Sequence, residues 1–313
     1  MTLPPDYFQY PHRRPGLDHD WFPHRNLPQA PPVAWPGGAR IALWVGVHLQ
    51  HFPMNMPNHP FRPPGGMERP YPSYWDYTRR DYGNRVGIFR IMHALDHAGL
   101  RATAIINAAV ATRYHALAQE IARRNWDIAA SGIDMANLHY GGLPIEAERP
   151  LVQKSAATLR NIFGEALTGW HSPAHSQSMN TLALAAEAGL QWAGDWVNDD
   201  MPYQITTPSG PITAMPLAWE LSDQRTLFQQ HQSTEDFVDA ILRAHQTLDA
   251  EATPDNGRIL AVTLTPWVIG QPHRIRALSQ LLQTLRAKPG IWPATAPEIL
   301  AAWRAATPRL TAA

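Results

Sequence analysis

Short apolar runs alternate with segments of helical spacing along most of this chain, and this alternation constrains the fold more than any other feature. Residues 40–52 form the first such run, and residues 258–264 form a later, fully apolar one. Segments with apolar residues three or four apart, such as 84–98, separate successive runs. Repeated strand and helix units predict a parallel sheet with right-handed crossovers, and seven or eight units would close it into a distorted α/β barrel of the (β/α)7-8 type.

The pattern gives a specific set of expected elements. We expect strands at 40–52, 101–110, 128–130, 167–170, 191–196, 212–216, 258–264 and 291–293. We expect helices at 84–98, 112–124, 146–163, 181–188, 233–248, 273–287 and 297–305. Ser233 with Asp236 three residues later is a helix-capping pattern, and Pro297 suits a first helical turn.

Two proline-rich segments fall outside this alternation. Residues 1–39 are rich in proline, which is excluded from long helices and central strands, so we expect an irregular arm there. A single barrel domain is expected at 40–313. The arm contains the aromatic residues Tyr7, Phe8, Tyr10, Trp21, Phe22 and Trp35. This favours docking onto the domain or a neighbouring subunit, and hence a homo-oligomer. Residues 53–79 predict an ordered loop that covers the barrel mouth.

Composition excludes several classes of protein and site. The chain has no cysteine, so disulfides, thiolate metal sites and cysteine nucleophiles are excluded. Its 26 basic and 26 acidic residues balance, which argues against a nucleic-acid partner. No stretch approaches the roughly 18 apolar residues of a membrane span, and the N-terminus lacks a signal-peptide pattern. We therefore expect a cytoplasmic protein with a small-molecule substrate and no membrane partner.

Polar and aromatic side chains follow the predicted strands, where the carboxyl ends of parallel strands would meet at one mouth. They are Gln50, His51, Ser131, Asp134, His139, Trp170, His171, His175, Asp195, Trp196, Trp219, Glu220, Thr265 and Trp267. The four tryptophans can wall a pocket for a flat heterocycle or a sugar ring, or they can fill the core. Four histidines, His51, His139, His171 and His175, could assemble a zinc site with Asp134 or Asp195. No pair has a diagnostic spacing, so separate hydrogen-bonding histidines are the alternative.

Four segments of the sequence carry a resemblance to a known family. They are residues 80–87 (RDYGNRVG), 127–143 (DIAASGIDMANLHYGGL), 195–203 (DWVNDDMPY) and 270–274 (GQPHR). With these segments the chain resembles the polysaccharide deacetylase (NodB-homology) superfamily, and more closely its branch of allantoinase-like and cyclic-imide hydrolases. The resemblance implies a distorted, seven-stranded (β/α) barrel and hydrolysis of a carbon–nitrogen bond.

The chain departs from that family at positions that carry its chemistry. Members that use a metal hold it with an acidic residue at the end of the first strand and two histidines four apart after the third. The corresponding positions here are Gln50, Ser131 and Met135, which are not usual zinc ligands. The family's His-Pro pair after the seventh strand corresponds to Thr265-Pro266, and His171 lies inside the glycine and proline frame of the fourth-strand segment. We therefore assign no cofactor from the sequence, although a divalent metal stays possible.

Hydrolysis of an amide-like bond needs a base, a donor for the oxyanion and an acid for the leaving nitrogen. Asp134 and Asp195 are the candidate bases, His139 and His171 the candidate acids, and Gln50 a candidate amide donor. Asp134 can instead be a turn-forming residue. Substrate contacts are expected from His51, Ser131, Trp170, Trp196, Trp219, Thr265 and Trp267.

Three functions are compatible with this sequence. The first is a hydrolase of a non-peptide carbon–nitrogen bond in a small molecule or carbohydrate. The second is a catalytically degenerate binding or regulatory protein, which the residues Gln50, Ser131 and Thr265 favour. The third is a biosynthetic enzyme of altered reaction type, such as a cyclase or lyase.

Overall fold

A computed structural model describes residues 19–59, 61–62, 64–66 and 69–307. The strands are β1 (Ile41–Leu49), β2 (Thr103–Ile106), β3 (Asp127–Ala130), β4 (Leu167–Trp170), β5 (Trp192–Ala193), β6 (Tyr203–Ile205), β7 (Ile212–Ala214), β8 (Arg258–Leu264) and β9 (Ile291–Pro293). The α-helices are α1 (Tyr74–Tyr82), α2 (Ile88–Ala98), α3 (Ala108–Arg113), α4 (His115–Arg123), α5 (Ile145–Phe163), α6 (Thr181–Glu187), α7 (Thr234–Glu251), α8 (Ile275–Arg286) and α9 (Ala296–Ala306).

The strands form one curled sheet in the order β6-β7-β5-β4-β3-β2-β1-β8, and β9 pairs with the first residues of β1. Neighbouring strands from β7 to β8 are parallel, as the alternation predicts. On the far side, a single bridge between Ser222 and Thr263 joins the segment after β7 to β8. The expected distorted α/β barrel is thus confirmed.

Strand β6 departs from the expected all-parallel sheet. It was not predicted, and it runs antiparallel to β7, with Tyr203 opposite Ala214 and Ile205 opposite Ile212. Only residues 206–211 connect the two strands. A parallel crossover needs a dozen or more residues, so this connection permits only an antiparallel pair.

The side chains of β1 alternate between two layers. Ile41, Leu43 and Val45 pack in the outer layer against the helices, whereas Ala42 and Trp44 belong to a separate cluster in the barrel interior. Large rings fill this interior: the Trp44 and Trp192 indoles meet edge to face, with ring centroids 5.5 Å apart. The same alternation turns Gly46 and then His48 inward, at the carboxyl end of the strand.

Helix boundaries follow capping chemistry. Ser233 accepts a hydrogen bond from the Asp236 N–H, and Asp236 accepts one from the Ser233 N–H, so the predicted start of α7 is confirmed. The expected loop at 53–79 is wrong from Tyr74 onward, where α1 begins. Ser73 caps that helix by accepting from the Asp76 N–H, and a buried ion pair between Arg80 and Asp76 stabilises it.

The described part of the arm, residues 19–39, packs against the same chain. The indole N–H of Trp35, which is 2% exposed, donates to the backbone carbonyl of Arg258 at 3.0 Å. Trp21 and Phe22 contact the ring of Trp196, with ring centroids 6.1 and 5.7 Å away. Tyr7, Phe8 and Tyr10 lie outside the described residues. Among the described helices, none has the length and apolar character needed to cross a bilayer.

Candidate functional site

Three imidazoles meet at the carboxyl edge of the sheet. His48 lies in β1, His171 directly follows β4, and His175 lies in a short turn after β4. One ring nitrogen of each falls within 4.8 Å of those of the other two. His48 and His171 are buried and His175 is half-buried. We call these three residues the histidine cluster.

A strained turn brings His175 into the cluster. Ala174 and His175 both have left-handed backbone conformations, with φ of 61° and 55°. Such conformations cost about 1–3 kcal/mol each for residues other than glycine, and they occur most often at functional sites. The turn packs against Gly132, where an added Cβ would lie 2.6 Å from Pro173 Cγ. Gly132, in the turn that follows β3, therefore makes room for the segment that carries His175.

Asp195 lies directly beside the cluster. Its carboxylate accepts a 2.7 Å hydrogen bond from the Ser172 N–H and a 3.1 Å bond from the Ser172 hydroxyl. The nearer carboxylate oxygen lies 3.9 Å from His171 Nδ1, and both side chains are almost fully buried. Burial raises the pKa of Asp195 to about 6, although the Ser172 bonds oppose this. The structure thus brings together two sequence-predicted residues, Asp195 and His171.

The imidazoles of the cluster are held in their neutral form. Burial lowers the pKa of His171 to about 4, and burial together with neighbouring His171 lowers that of His175 to about 3. The pKa of His48 is also well below its ordinary value, through burial and then the two other histidines. Each ring therefore keeps a nitrogen lone pair at neutral pH.

His139 belongs to a different buried group. Its Nδ1 lies 2.9 Å from Glu148 Oε1, and neither side chain has any exposed surface. Glu148 also accepts hydrogen bonds from the hydroxyls of Ser178 and Thr181. Burial opposes ionisation of Glu148, but these three hydrogen bonds outweigh it and lower its pKa. His139 is therefore fixed by α5, and the structure does not bring it into the cluster.

Asp134 and His51 form a second separate group. Asp134 Oδ1 accepts from the Ala136 N–H at 2.9 Å and from the Asn137 amide at 2.7 Å, which is the turn-forming arrangement considered from the sequence. The backbone carbonyl of His51 accepts from the Met135 N–H at 2.9 Å. Burial and nearby Arg113 lower the pKa of His51, and Asp134 partly offsets this.

The positions at which the resemblance implies metal ligands do not suit a metal here. Met135 is fully buried and packs with Phe52 and Leu138 in a small apolar cluster. Ser131 is buried, and the backbone carbonyl of Gln50 accepts from the Asn84 amide. Structural and catalytic zinc sites use imidazole, thiolate or carboxylate ligands, and none is present at these three positions.

The four tryptophans have different surroundings. The ring of Trp219 meets that of His175 at 4.6 Å, so this tryptophan contacts the cluster. Trp170 is fully buried and donates to the Ser172 hydroxyl, whereas Trp196 faces the arm. Trp267 is buried and packs against Phe228.

Thr265 follows β8 and is fully buried. Its backbone N–H donates at 2.8 Å to Asp223, a carboxyl whose pKa burial raises to about 7 despite the hydrogen bonds from Thr265. Sequence reasoning did not single out Asp223, Glu148, Ser172 or His48. Of these four residues, only His48 could have been found from the sequence: it is four positions after Trp44 on the same strand, so its side chain points to the same, inner face.

Comparison with known proteins gives a consistent family. Residues 77–193 match the family model for polysaccharide deacetylase. A putative polysaccharide deacetylase from Schizosaccharomyces pombe (strain 972 / ATCC 24843) is 24% identical over 295 residues, covering 87% of this chain and 88% of that protein.

Solved structures extend the similarity to the fold. The structure of Puue allantoinase has a TM-score of 0.79 and 22% identity, covering 91% of this chain and 98% of that one. A probable polysaccharide deacetylase from Pseudomonas aeruginosa PAO1 has a TM-score of 0.77 and 20% identity, covering 90% and 98%. The family resemblance inferred from the four sequence segments is confirmed.

Proposed function

Residues 77–193 match the polysaccharide deacetylase family model, and from that premise we propose that this chain hydrolyses an amide-type carbon–nitrogen bond other than a peptide bond. The bond would belong to an N-acyl group, a cyclic imide or a ureide of a small molecule or carbohydrate. The observation that carries the proposal is the contact between the buried carboxyl of Asp195 and the histidine cluster at the carboxyl edge of the sheet. In (β/α) barrels this edge is where catalytic groups converge.

Asp195 is the group best placed to accept a proton from the attacking water and to return it to the leaving nitrogen when the carbon–nitrogen bond breaks. The Ser172 N–H and hydroxyl hold its carboxylate in one orientation, and a carboxylate has further lone pairs with which to accept. Fixing the orientation of a base beforehand removes part of the entropic cost of the reaction. Asp134 is less suited to this role, because it lies in a separate turn and not beside the histidine cluster.

The half-buried His175 is the member of the cluster that a substrate would meet first. A neutral imidazole carries one N–H, which can donate to the oxyanion that forms when water adds to the carbonyl carbon. The ring of Trp219 beside it offers an apolar wall against which a planar substrate can lie. These contacts favour a compact planar or ring-shaped substrate at the mouth.

A turnover assay tests the proposal. Purified protein is incubated with allantoin, cyclic imides, N-acetylated amines and N-acetylated sugars, both after chelator treatment and with added zinc. Hydrolysis of one or more of these compounds is expected. Asp195→Asn should lower kcat by about 100- to 10,000-fold, which is the usual contribution of a general base.

Asp199→Asn is the matched control, because it removes a carboxyl from the same loop. Asp199 is paired with Arg25 at 2.9 Å and takes no part in the cluster, so this variant should keep wild-type activity. If no compound is hydrolysed under either condition, or if Asp195→Asn stays fully active, the hydrolase proposal is wrong.

A binding or regulatory role is the second candidate, and the residues Gln50, Ser131 and Thr265 favour it. If only metal ligands have been lost, Gln50→Glu combined with Ser131→His should create hydrolytic activity that the native chain lacks. A native chain that already turns over substrate would remove this second candidate.

A further inference from the structure

We propose that the histidine cluster is a metal site, in which His48, His171 and His175 bind one divalent transition metal ion, zinc by preference. The fourth coordination position would stay open toward the barrel mouth. This inference rests on the geometry of the three imidazoles, and the hydrolase proposal does not enter it.

The tautomer of His171 is the first step of the argument. Its Nδ1 lies 3.1 Å from the backbone carbonyl of Ser172. A carbonyl oxygen can only accept, so Nδ1 carries the proton and Nε2 bears a lone pair. Nε2 is buried and has no hydrogen-bond partner among the described residues. Buried acceptors are rarely left unsatisfied, and a metal ion in the cluster would satisfy this one.

The groups around His171 match those that surround metal-bound histidines. A ligating imidazole almost always donates its other N–H to a backbone carbonyl or a carboxylate, which fixes both the ring and its tautomer. His171 donates to the Ser172 carbonyl at 3.1 Å, and the Asp195 carboxylate lies 3.9 Å from the same nitrogen, beyond hydrogen-bond distance. Ser172 in turn holds Asp195 through two hydrogen bonds, so the supporting shell is already assembled.

The spacing of the three nitrogens is within reach of a zinc site. Bonds of about 2.0–2.1 Å at tetrahedral angles place ligand nitrogens roughly 3.3 Å apart. The three candidate nitrogens lie within 4.8 Å of one another, so side-chain rotations that close the cluster by about 1–1.5 Å would complete the site.

Ligand type and accessibility point to the kind of ion and site. Three imidazoles without thiolate suit zinc and similar late first-row ions better than calcium or magnesium. His48 and His171 are buried, whereas His175 is half-buried beside Trp219. A fourth coordination position would therefore be reached from the side of His175, and three protein ligands with one open position are typical of catalytic zinc sites.

The proposed site differs from the one that the resemblance implies. Gln50 follows β1, and Ser131 and Met135 follow β3, whereas the residues of the histidine cluster lie in β1 or follow β4. His48 and Gln50 are two residues apart and share the inward parity of β1. The metal would thus lie deeper in the barrel and be displaced toward β4.

Zinc and cobalt titrations test the inference on the full chain. The protein is stripped with a chelator, dialysed, and titrated with Zn²⁺ against a chromophoric competitor and separately with Co²⁺. We expect one ion per chain and the intense visible absorption of tetrahedral cobalt. His175→Ala should weaken zinc binding at least about 100-fold, since loss of a supporting residue alone costs 10- to 100-fold.

His93→Ala is the matched control, because His93 and His97 form an exposed pair on α2 with ring centroids 6.1 Å apart. Such a surface pair can capture zinc adventitiously, and its loss should leave the cluster's affinity unchanged. If His48→Ala or His171→Ala does not fold, X-ray absorption of the native zinc-loaded chain counts its imidazole ligands, with three expected.

Two results would overturn the site. One is a native chain that binds no ion at equimolar zinc, and the other is binding that His93→Ala abolishes and His175→Ala spares. Both are read without any substrate. A chain that binds zinc in the cluster yet hydrolyses nothing would refute the proposed function and leave the metal site standing.

Discussion

Asp127 provides a quantitative test of how the burial of a carboxyl group makes the stability of this protein depend on pH. The residue begins β3 and is 6% exposed. The Thr103 hydroxyl lies 2.9 and 3.0 Å from its two oxygens, and that hydroxyl accepts from the Trp44 indole N–H at 2.6 Å. Burial raises the pKa of Asp127 from 3.8 to about 7, although the Thr103 bond opposes the shift.

The sign of the stability effect follows from this direction. Because the folded-state pKa lies above the unfolded one, the folded protein binds the proton more tightly. The resulting stability is fully present below about pH 4 and is lost as the pH rises through 7. With about 1.4 kcal/mol for each pKa unit, the loss between pH 5 and pH 8 is roughly 3 kcal/mol.

Asp127→Asn should remove that dependence, because the amide is neutral throughout. The free energy of unfolding of wild type and variant is measured by urea denaturation from pH 5 to pH 8. Their difference should move by roughly 3 kcal/mol in favour of the variant, since contributions from other groups cancel. Asp255→Asn, which removes an exposed carboxyl, should show no such trend. A pH-independent difference for Asp127→Asn would refute the reasoning.

Three further perturbations test other parts of the structure. An added Cβ at Gly169 would lie 2.1 Å from the buried indole ring of Trp192. Gly169→Ala should therefore lower the free energy of unfolding by about 1–3 kcal/mol. Gly141→Ala is the control and should change it little, because Gly141 has open space around it. Glu148→Gln should lower the free energy of unfolding, measured by urea denaturation, by about 1–3 kcal/mol, because one of the three buried groups that donate to Glu148 loses its acceptor. Glu146→Gln, at an exposed position of the same helix, is the control. Removing residues 1–30 should dissociate the predicted homo-oligomer in size-exclusion chromatography, and an unchanged elution mass would contradict the role of the arm.

The sequence predicts the elements whose signal is local. The apolar run at 258–264 matches β8 in full, and the Ser233 and Asp236 pair marks the start of α7, because periodicity and capping depend on residues a few positions apart. The three-residue strand β6 escapes such reasoning, since it is too short to show a period. The start of α1 was missed although Ser73 and Asp76 have the same capping spacing, because the prolines around them favour a loop.

The candidate site was only partly predictable for a different reason. Parallel strands bring their carboxyl ends together, which was enough to select His171 and Asp195. The bonds that assemble the site join residues far apart in the chain, such as Ser172 with Asp195 and His139 with Glu148. Their pairing depends on the register of the folded sheet and on the unusual turn at Ala174, and neither is encoded in local spacing.

The single bridge at the far side of β8 has a consequence for how the molecule opens. Strand β8 shares seven paired positions with β1, but on its other flank the bridge from Ser222 to Thr263 is the only backbone pairing among the described residues. A crevice bordered by Leu221 and Leu260 follows this gap. Local opening begins where few backbone bonds must break, so amide protons of 216–222 should exchange with deuterium well before those shared by β1 and β8. We therefore expect the barrel to open along this flank while the pairing of its central strands is kept.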